Sequence, residues 1–188
     1  MWMDEGSTTK RREDEARMEI LFRSNYRDVE AYVRRRAEPD LVEDVVAETF
    51  LVAWRRLDDV PDEARPWLLG VARKTLSTQR RTKARRSSLV NRLGEVQRRP
   101  MGGEPQSDLD VPTALSRLSE KDREAITLVA WDGLSPSEAA VVVGQSAVAF
   151  RVRLHRAKRR LRALLDPRAS AFVVGPGELH LTEGELKR

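Results

Sequence analysis

The segment from Gly133 to Leu165, GLSPSEAAVVVGQSAVAFRVRLHRAKRRLRALL, constrains the fold most, because it punctuates two short helices and loads the second with positive charge. Ser135 and Glu138 have the spacing of a capping box, and Pro136 falls at the first helical position, where its missing N–H costs nothing. Ala139, Ala140, Val142 and Val143 give that helix an apolar side before Gly144, which can take the left-handed conformation that ends a helix. Gly144 to Ser146 is then the turn. Beyond it Ala147, Phe150, Leu154, Ala157, Leu161 and Leu164 recur at steps of three and four, the period of one buried helix face. The remaining faces carry Arg151, Arg153, His155, Arg156, Lys158, Arg159, Arg160 and Arg162, and no acid lies between Glu138 and Asp166. The spacing predicts a helix-turn-helix whose second helix suits the DNA major groove, with guanidinium forks for guanine edges and other basic groups for phosphates.

A length of 188 residues allows one domain or two small ones. The 35 Lys and Arg residues outnumber 30 Asp and Glu by only five, but the two signs are separated along the chain, which points to a polyanionic partner. There is no cysteine, so disulfides, thiol catalysis and cysteine zinc sites are excluded. The two histidines lie far apart, and His155 sits among arginines that would repel a metal ion; neither a metal site nor a cofactor is expected. With no phosphate-cradling glycine loop and no carboxylate or histidine constellation at catalytic spacing, the chain does not read as an enzyme. It has neither the apolar core of a signal peptide nor a membrane-length apolar run, so a soluble, cytoplasmic chain without a membrane partner is expected.

The expected class is all-α, in two small helical domains. Residues 1–13 are polar and without period and read as a disordered leader. From residue 14 to 86 the patterns are helical. Met18, Leu21, Phe22, Val29, Tyr32 and Val33 mark a first helix, or a pair broken around Ser24 to Tyr26. A second helix places Val42, Val46, Phe50, Ala53, Trp54 and Leu57 on one side, read as core, with Glu43, Asp44 and Glu48 on another. A third holds Trp67, Leu68, Val71, Ala72 and Leu76 and then turns basic. Residues 87–111 lose periodicity, and PMGGEPQSDLDVP has three acids, three prolines and no basic residue, the composition of a flexible acidic linker. Extended, it could reach roughly 80 Å. Residues 112–165 form the second unit, with an N-terminal signature at Ser119 and Asp122; residues 166–188 are a tail without a clear pattern. Units this small have modest cores, so neither should be very stable alone.

Two helical units, each ending in a basic helix and joined by an acidic linker, resemble the bacterial extracytoplasmic-function sigma factors. The resemblance covers about residues 14–165. DLVEDVVAETFLVAWRRL followed by RPWLLGVARKTLSTQRR resembles the family's second conserved region, and LSRLSEKDREAITLVAWDGLSPSEAAVVVGQSAVAFRVRLHRAKRRLRALL its fourth. It implies a dissociable subunit that binds core RNA polymerase and promoter DNA, with an anti-sigma factor as a further partner found in the family. By position, Glu43, Asp44 and Glu48 would dock on the polymerase coiled coil, with Ala47 where a glutamine is frequent. Arg73, Lys74, Gln79, Arg80 and Arg81 would read the minus-ten element and its opened strand, Lys74 replacing a frequent asparagine. Val148, Ala149, Arg151, Val152, Arg153, His155 and Arg156 would read the minus-thirty-five element. Val148, Ala149 and Val152 stand where Gly, Thr and Ser are common, so contact with thymine methyls would replace hydrogen bonds. Glu104, Asp108 and Asp110 of the linker would meet basic walls near the active centre and RNA exit path. The alternative reading is a stand-alone helix-turn-helix regulator that binds operator DNA as a dimer, its first unit serving for dimerisation or sensing.

Overall fold

The computed structural model describes residues 5–91 and 110–166. The elements are α1 (Glu5–Arg34), a 3-10 turn (Pro39–Leu41), α2 (Val42–Arg55), a second 3-10 turn (Leu57–Asp59), α3 (Ala64–Asn91), α4 (Val111–Ser116), α5 (Glu120–Ala130), α6 (Pro136–Val143) and α7 (Ala147–Leu165). No strand occurs among the described residues.

Two local expectations are corrected at the first helix. Residues 5–13, read as a disordered leader, are helical, because extending an existing helix costs far less than nucleating one and Arg11 and Glu15 pair one turn apart at 3.0 Å. The break around Ser24 to Tyr26 does not occur. Asn25 there bonds back within the helix, its Nδ2 donating to the Leu21 carbonyl at 2.9 Å. At the other boundary α3 runs to Asn91, past the start assigned to the linker.

α1, α2 and α3 pack together around Val29, Tyr32, Val33, Val45, Phe50, Ala53, Leu68, Leu69 and Ala72, all buried. Phe22 closes one end of this core, its ring 4.7 Å from Phe50 and 5.1 Å from Tyr26. In the second unit α7 buries Phe150, Leu154 and Ala157 against α5 and α6, with Leu128, Leu134, Ala139 and Ala140 across from them. That is the stripe read from the three-and-four spacing.

The helix ends follow local chemistry. The Ser135 hydroxyl accepts from the Glu138 N–H at 3.2 Å while the Glu138 carboxylate accepts from the Ser135 N–H at 2.7 Å. Gly144 closes α6 at φ 68°, where a Cβ would be strained. Ser146 caps α7 through the Ala149 N–H at 3.2 Å. Hydrogen bonding from the Ser135 side chain and then its backbone N–H holds the Glu138 carboxyl below the usual carboxylate range. A carboxyl whose folded pKa is depressed stabilises above its unfolded value and loses that contribution as pH falls through the folded one. Ser135→Ala should therefore cost about 1 kcal/mol. The advantage of the native chain over Glu138→Gln, present at neutral pH, should shrink once pH drops below about 4. Urea titrations followed by circular dichroism at both pH values check this.

The two units do not stand apart. α3 lies against α6, and the buried apolar residues of both form one continuous cluster. α3 passes α6 closely at Gly70, where a Cβ would sit in ordinary contact, 3.5 Å from the Val142 carbonyl oxygen and 3.7 Å from its Cα. Packing on each other enlarges two cores that are modest separately.

Candidate functional site

Three surfaces carry the residues singled out from the sequence. On α7 the outward stripe is Val148, Ala149, Arg151, Val152, His155 and Arg156, all exposed on the helix face opposite Phe150, Leu154 and Ala157. Val148 and Val152 are 66% and 47% exposed, apolar groups held out to solvent with nothing to pack on. Arg153 departs from this set. It is half-buried, because its place on the helix falls beside the core face rather than on the outward stripe. The six others form a short helix face of the width that enters a major groove.

On α2 Glu43 and Asp44 are exposed and Glu48 is half-buried, its carboxylate 3.8 Å from Arg55. The same face continues through Ala47, Leu51 and Trp54. Trp54, read as core, is 41% exposed and Leu51 46%. Glu43, Ala47, Leu51 and Trp54 follow one another at steps of four, four and three; Trp54, one turn beyond Phe50 but further round the helix from Val46 and Ala53, falls at the edge of the core stripe. The stripe is thus acidic at its N-terminal end and apolar at its C-terminal end, the mixture of charge and aromatic anchor that protein interfaces use.

On α3 Lys74, Arg80 and Arg81 are exposed and share a face with Arg73, whereas Gln79 is turned off that face and its Oε1 is buried without a hydrogen-bond partner. Two of these arginines are engaged by the second unit. Arg73 grips Glu124 of α5 with both arms of its guanidinium, Nε to Oε1 at 2.6 Å and Nη2 to Oε2 at 2.9 Å. That side-chain hydrogen bond raises the Arg73 pKa above an already high value. Arg80 reaches Glu120 at 3.7 Å and donates to the Arg36 carbonyl at 2.8 Å.

Beside these pairs stands a second junction that sequence reasoning did not single out. The Asp132 carboxylate, with its side chain only 1% exposed, lies between Arg35 and Arg36 at the end of α1. Arg36 donates to both its oxygens, at 2.5 and 3.2 Å, and Arg35 makes a further short contact with Oδ1. Arg65 donates to the Asp132 carbonyl at 2.6 Å. Arg36 also lies over the Tyr32 ring at 3.8 Å from its centroid, and burial pushes the Tyr32 hydroxyl up to about 12.

Asp110 serves as the N-cap of α4, its carboxylate accepting from the Thr113 N–H at 3.0 Å, which holds it below the usual range. Glu104 and Asp108 lie outside the described residues. Among those described, no group of three His, Asp or Glu side chains is placed to hold a metal, and no helix is long and apolar enough to cross a membrane.

Known proteins share this arrangement. Residues 21–86 match the Sigma-70 region 2 family and residues 108–161 the Sigma-70, region 4 family. The chain is 32% identical over 136 residues to the RNA polymerase sigma factor NccH of Alcaligenes xylosoxydans xylosoxydans, spanning 66% of this chain and 73% of that protein. It is 34% identical over 132 residues to the ECF RNA polymerase sigma factor SigL of Mycobacterium tuberculosis, spanning 66% and 74%. Among solved structures, CnrH in complex with the cytosolic domain of CnrY superposes with a TM-score of 0.55 at 29% identity, covering 80% of this chain and 88% of that one. The sigma factor RpoE bound to the anti-sigma factor NepR from Bartonella quintana gives 0.53 at 27%, covering 73% and 89%. The chain belongs to the extracytoplasmic-function group of RNA polymerase sigma factors. It is a DNA-binding subunit that directs RNA polymerase to promoters. The rival reading, an operator-binding dimer, needs a dimerisation or sensor domain where the region 2 match lies.

Proposed function

We propose that the three surfaces divide the work of initiation. The exposed face of α7 captures the minus-thirty-five element, with Arg151 on a base edge and Val148 and Val152 against thymine methyls. The basic face of α3, Arg73, Lys74, Arg80 and Arg81, holds the minus-ten element and its opened strand; a basic groove stabilises single-stranded DNA through its phosphates. The stripe from Glu43 to Trp54 docks on core polymerase. Its work is binding and positioning rather than catalysis, and it takes place in the cytoplasm, where polymerase and promoter are found. The observation that carries the reading is the pairing of a solvent-facing basic recognition helix with a separate acidic and apolar stripe on α2, two surfaces with different partners. An anti-sigma factor is a further partner, supported by the complexes in which RpoE and CnrH are held.

The test is reconstitution. Purified chain and core polymerase from a bacterium should co-elute, and the holoenzyme should start transcripts at a defined set of promoters in a genomic template. The chain alone should leave the same DNA unprotected from nuclease. Strong symmetric footprints by the chain alone would overturn the assignment.

A further inference from the structure

Just past the end of α1, beside α3 and α5, the chain encloses a cavity of about 300 Å³, at the lower end of the size of small-molecule sites. Its walls are Arg35, Arg36 and Arg80 from the first unit and Arg123, Thr127 and Trp131 from the second, with Glu120 and Glu124 completing the lining. Trp131 ends α5 and is 58% exposed, so an aromatic face stands open among guanidiniums. The cations are not equally free. Arg36 is committed to both Asp132 oxygens and to the Tyr32 carbonyl at 3.1 Å, and forms a fixed wall. Arg35 uses one nitrogen on Asp132, and Arg80 one on the Arg36 carbonyl at 2.8 Å, with Glu120 at 3.7 Å from another. Arg123 is half-buried, and its guanidinium has no ion pair or hydrogen bond to any described residue. Of the two acids, Glu124 has both oxygens on Arg73, and Glu120 is exposed and can turn to water. An unpaired, half-buried cation beside an exposed aromatic face favours an anion that carries a flat ring.

We propose that this cavity binds a free nucleotide, its base stacked on Trp131 and its phosphates held by Arg123, Arg35 and Arg80. Guanidinium forks match phosphate oxygens through paired N–H···O bonds, and an aromatic face accepts any base. Phosphate alone would satisfy the arginines without using the indole, and an uncharged aromatic would leave Arg123 unpaired. A nucleotide meets both. A single strand offers the same chemistry, but walls drawn from both units around about 300 Å³ suit a free nucleotide better than one unit of a continuous strand. The site is separate from the outward stripe of α7 and from the α2 stripe, and of the residues on the basic face of α3 it uses only Arg80. A ligand that binds the folded chain alone also stabilises it, so occupancy should raise the unfolding temperature with nucleotide concentration.

The test uses the full chain, free of polymerase and DNA, titrated calorimetrically with GTP, ATP and inorganic triphosphate. The native chain should take up one equivalent of GTP or ATP and bind inorganic triphosphate more weakly. Trp131→Ala should weaken nucleotide binding roughly five- to 150-fold, the share carried by one stacked base, and Trp131→Phe should restore most of it. Arg123→Gln should weaken GTP and inorganic triphosphate alike, whereas Arg117→Gln, which removes an exposed guanidinium outside the cavity, should change neither. Circular dichroism checks the fold of each variant, and Arg123→Gln carries the test if a change at Trp131 disturbs α5. Inorganic triphosphate binding as tightly as GTP, or well-folded Trp131→Ala binding GTP at native affinity, would reduce the site to bare charge and overturn the proposal. So would the absence of saturable nucleotide binding at millimolar concentration. A last arm uses a fluorescein-labelled random 20-nucleotide single strand. Strand binding that falls with Trp131→Ala, in a chain that ignores GTP and ATP, would give the indole to nucleic acid and overturn the free-nucleotide assignment.

Discussion

Reversing Glu43, Asp44 and Glu48 to lysine is expected to abolish assembly with core RNA polymerase while leaving the chain helical. Glu43 and Asp44 stand exposed in the first turn of α2, and Glu48 follows on the same side. If this face docks on a basic polymerase surface as proposed, reversal sets three positive charges against it, and like-charge juxtaposition across an interface costs several kcal/mol. The effect on folding is smaller. Lysine at a helix N-terminus opposes the helix dipole by about 0.3–1 kcal/mol per residue, and none of the three side chains contributes to the buried core. Gel filtration with core enzyme, run beside circular dichroism of the free variant, separates the two effects. Co-elution at native affinity would remove α2 from the docking surface. Trp54→Ala tests the apolar end of the same stripe: a half-exposed tryptophan is the type of side chain that anchors interfaces, and truncating such an anchor costs about 2 kcal/mol or more of binding.

The second large effect is expected when the two promoter readers are damaged separately in reconstituted holoenzyme. Arg80→Ala with Arg81→Ala should reduce permanganate-reactive, opened promoter far more than initial binding, whereas Arg151→Ala should reduce initial binding more than opening. Arg80 and Arg81 project from the exposed end of the α3 face, where phosphates of a separated strand would run. Arg151 is exposed on the outward stripe of α7, and a good bidentate base contact is worth about 1–3 kcal/mol. Arg153→Ala should have the smaller effect, since that side chain is half-buried at the flank of the stripe. The Arg80 substitution also removes the contact with Glu120 of α5. Equal proportional losses of binding and opening in both variant sets would refute the division of labour.

How far sequence and structure agree depends on the range of the interaction. The helix-turn-helix was readable in detail because each device in it is local. Ser135 bonds to Glu138 three residues on, Ser146 to Ala149 three residues on, and Gly144 takes a conformation open to glycine by its lack of a Cβ. The core face of α7 was readable for the same reason, as periodicity along one helix. Trp54 shows where that reading slips. It was counted with the apolar stripe as the residue one turn beyond Phe50, but it stands at the edge of that stripe, beside Glu43 and Ala47, and packing leaves it exposed. The helical residues at 5–13 were missed because their composition is that of a disordered segment, and what orders them is continuity with a helix that is packed further along.

The amino-acid sequence by itself determined the all-α class, the seams between helices, the basic face of α7 and the family. The first three follow from capping, periodicity and charge within windows of a few turns, and the family from the resemblance of two stretches of the chain to its conserved regions. Only the tertiary structure decided that the units close on each other, that Arg73 is occupied by Glu124, and that Asp132 is buried between Arg35 and Arg36. Those partners lie 51 to 97 residues apart in the chain. A carboxylate on a turn and two arginines at a helix end are ordinary surface residues in any local window. They become a junction only when α3 packs on α6 and brings the two ends of the chain together.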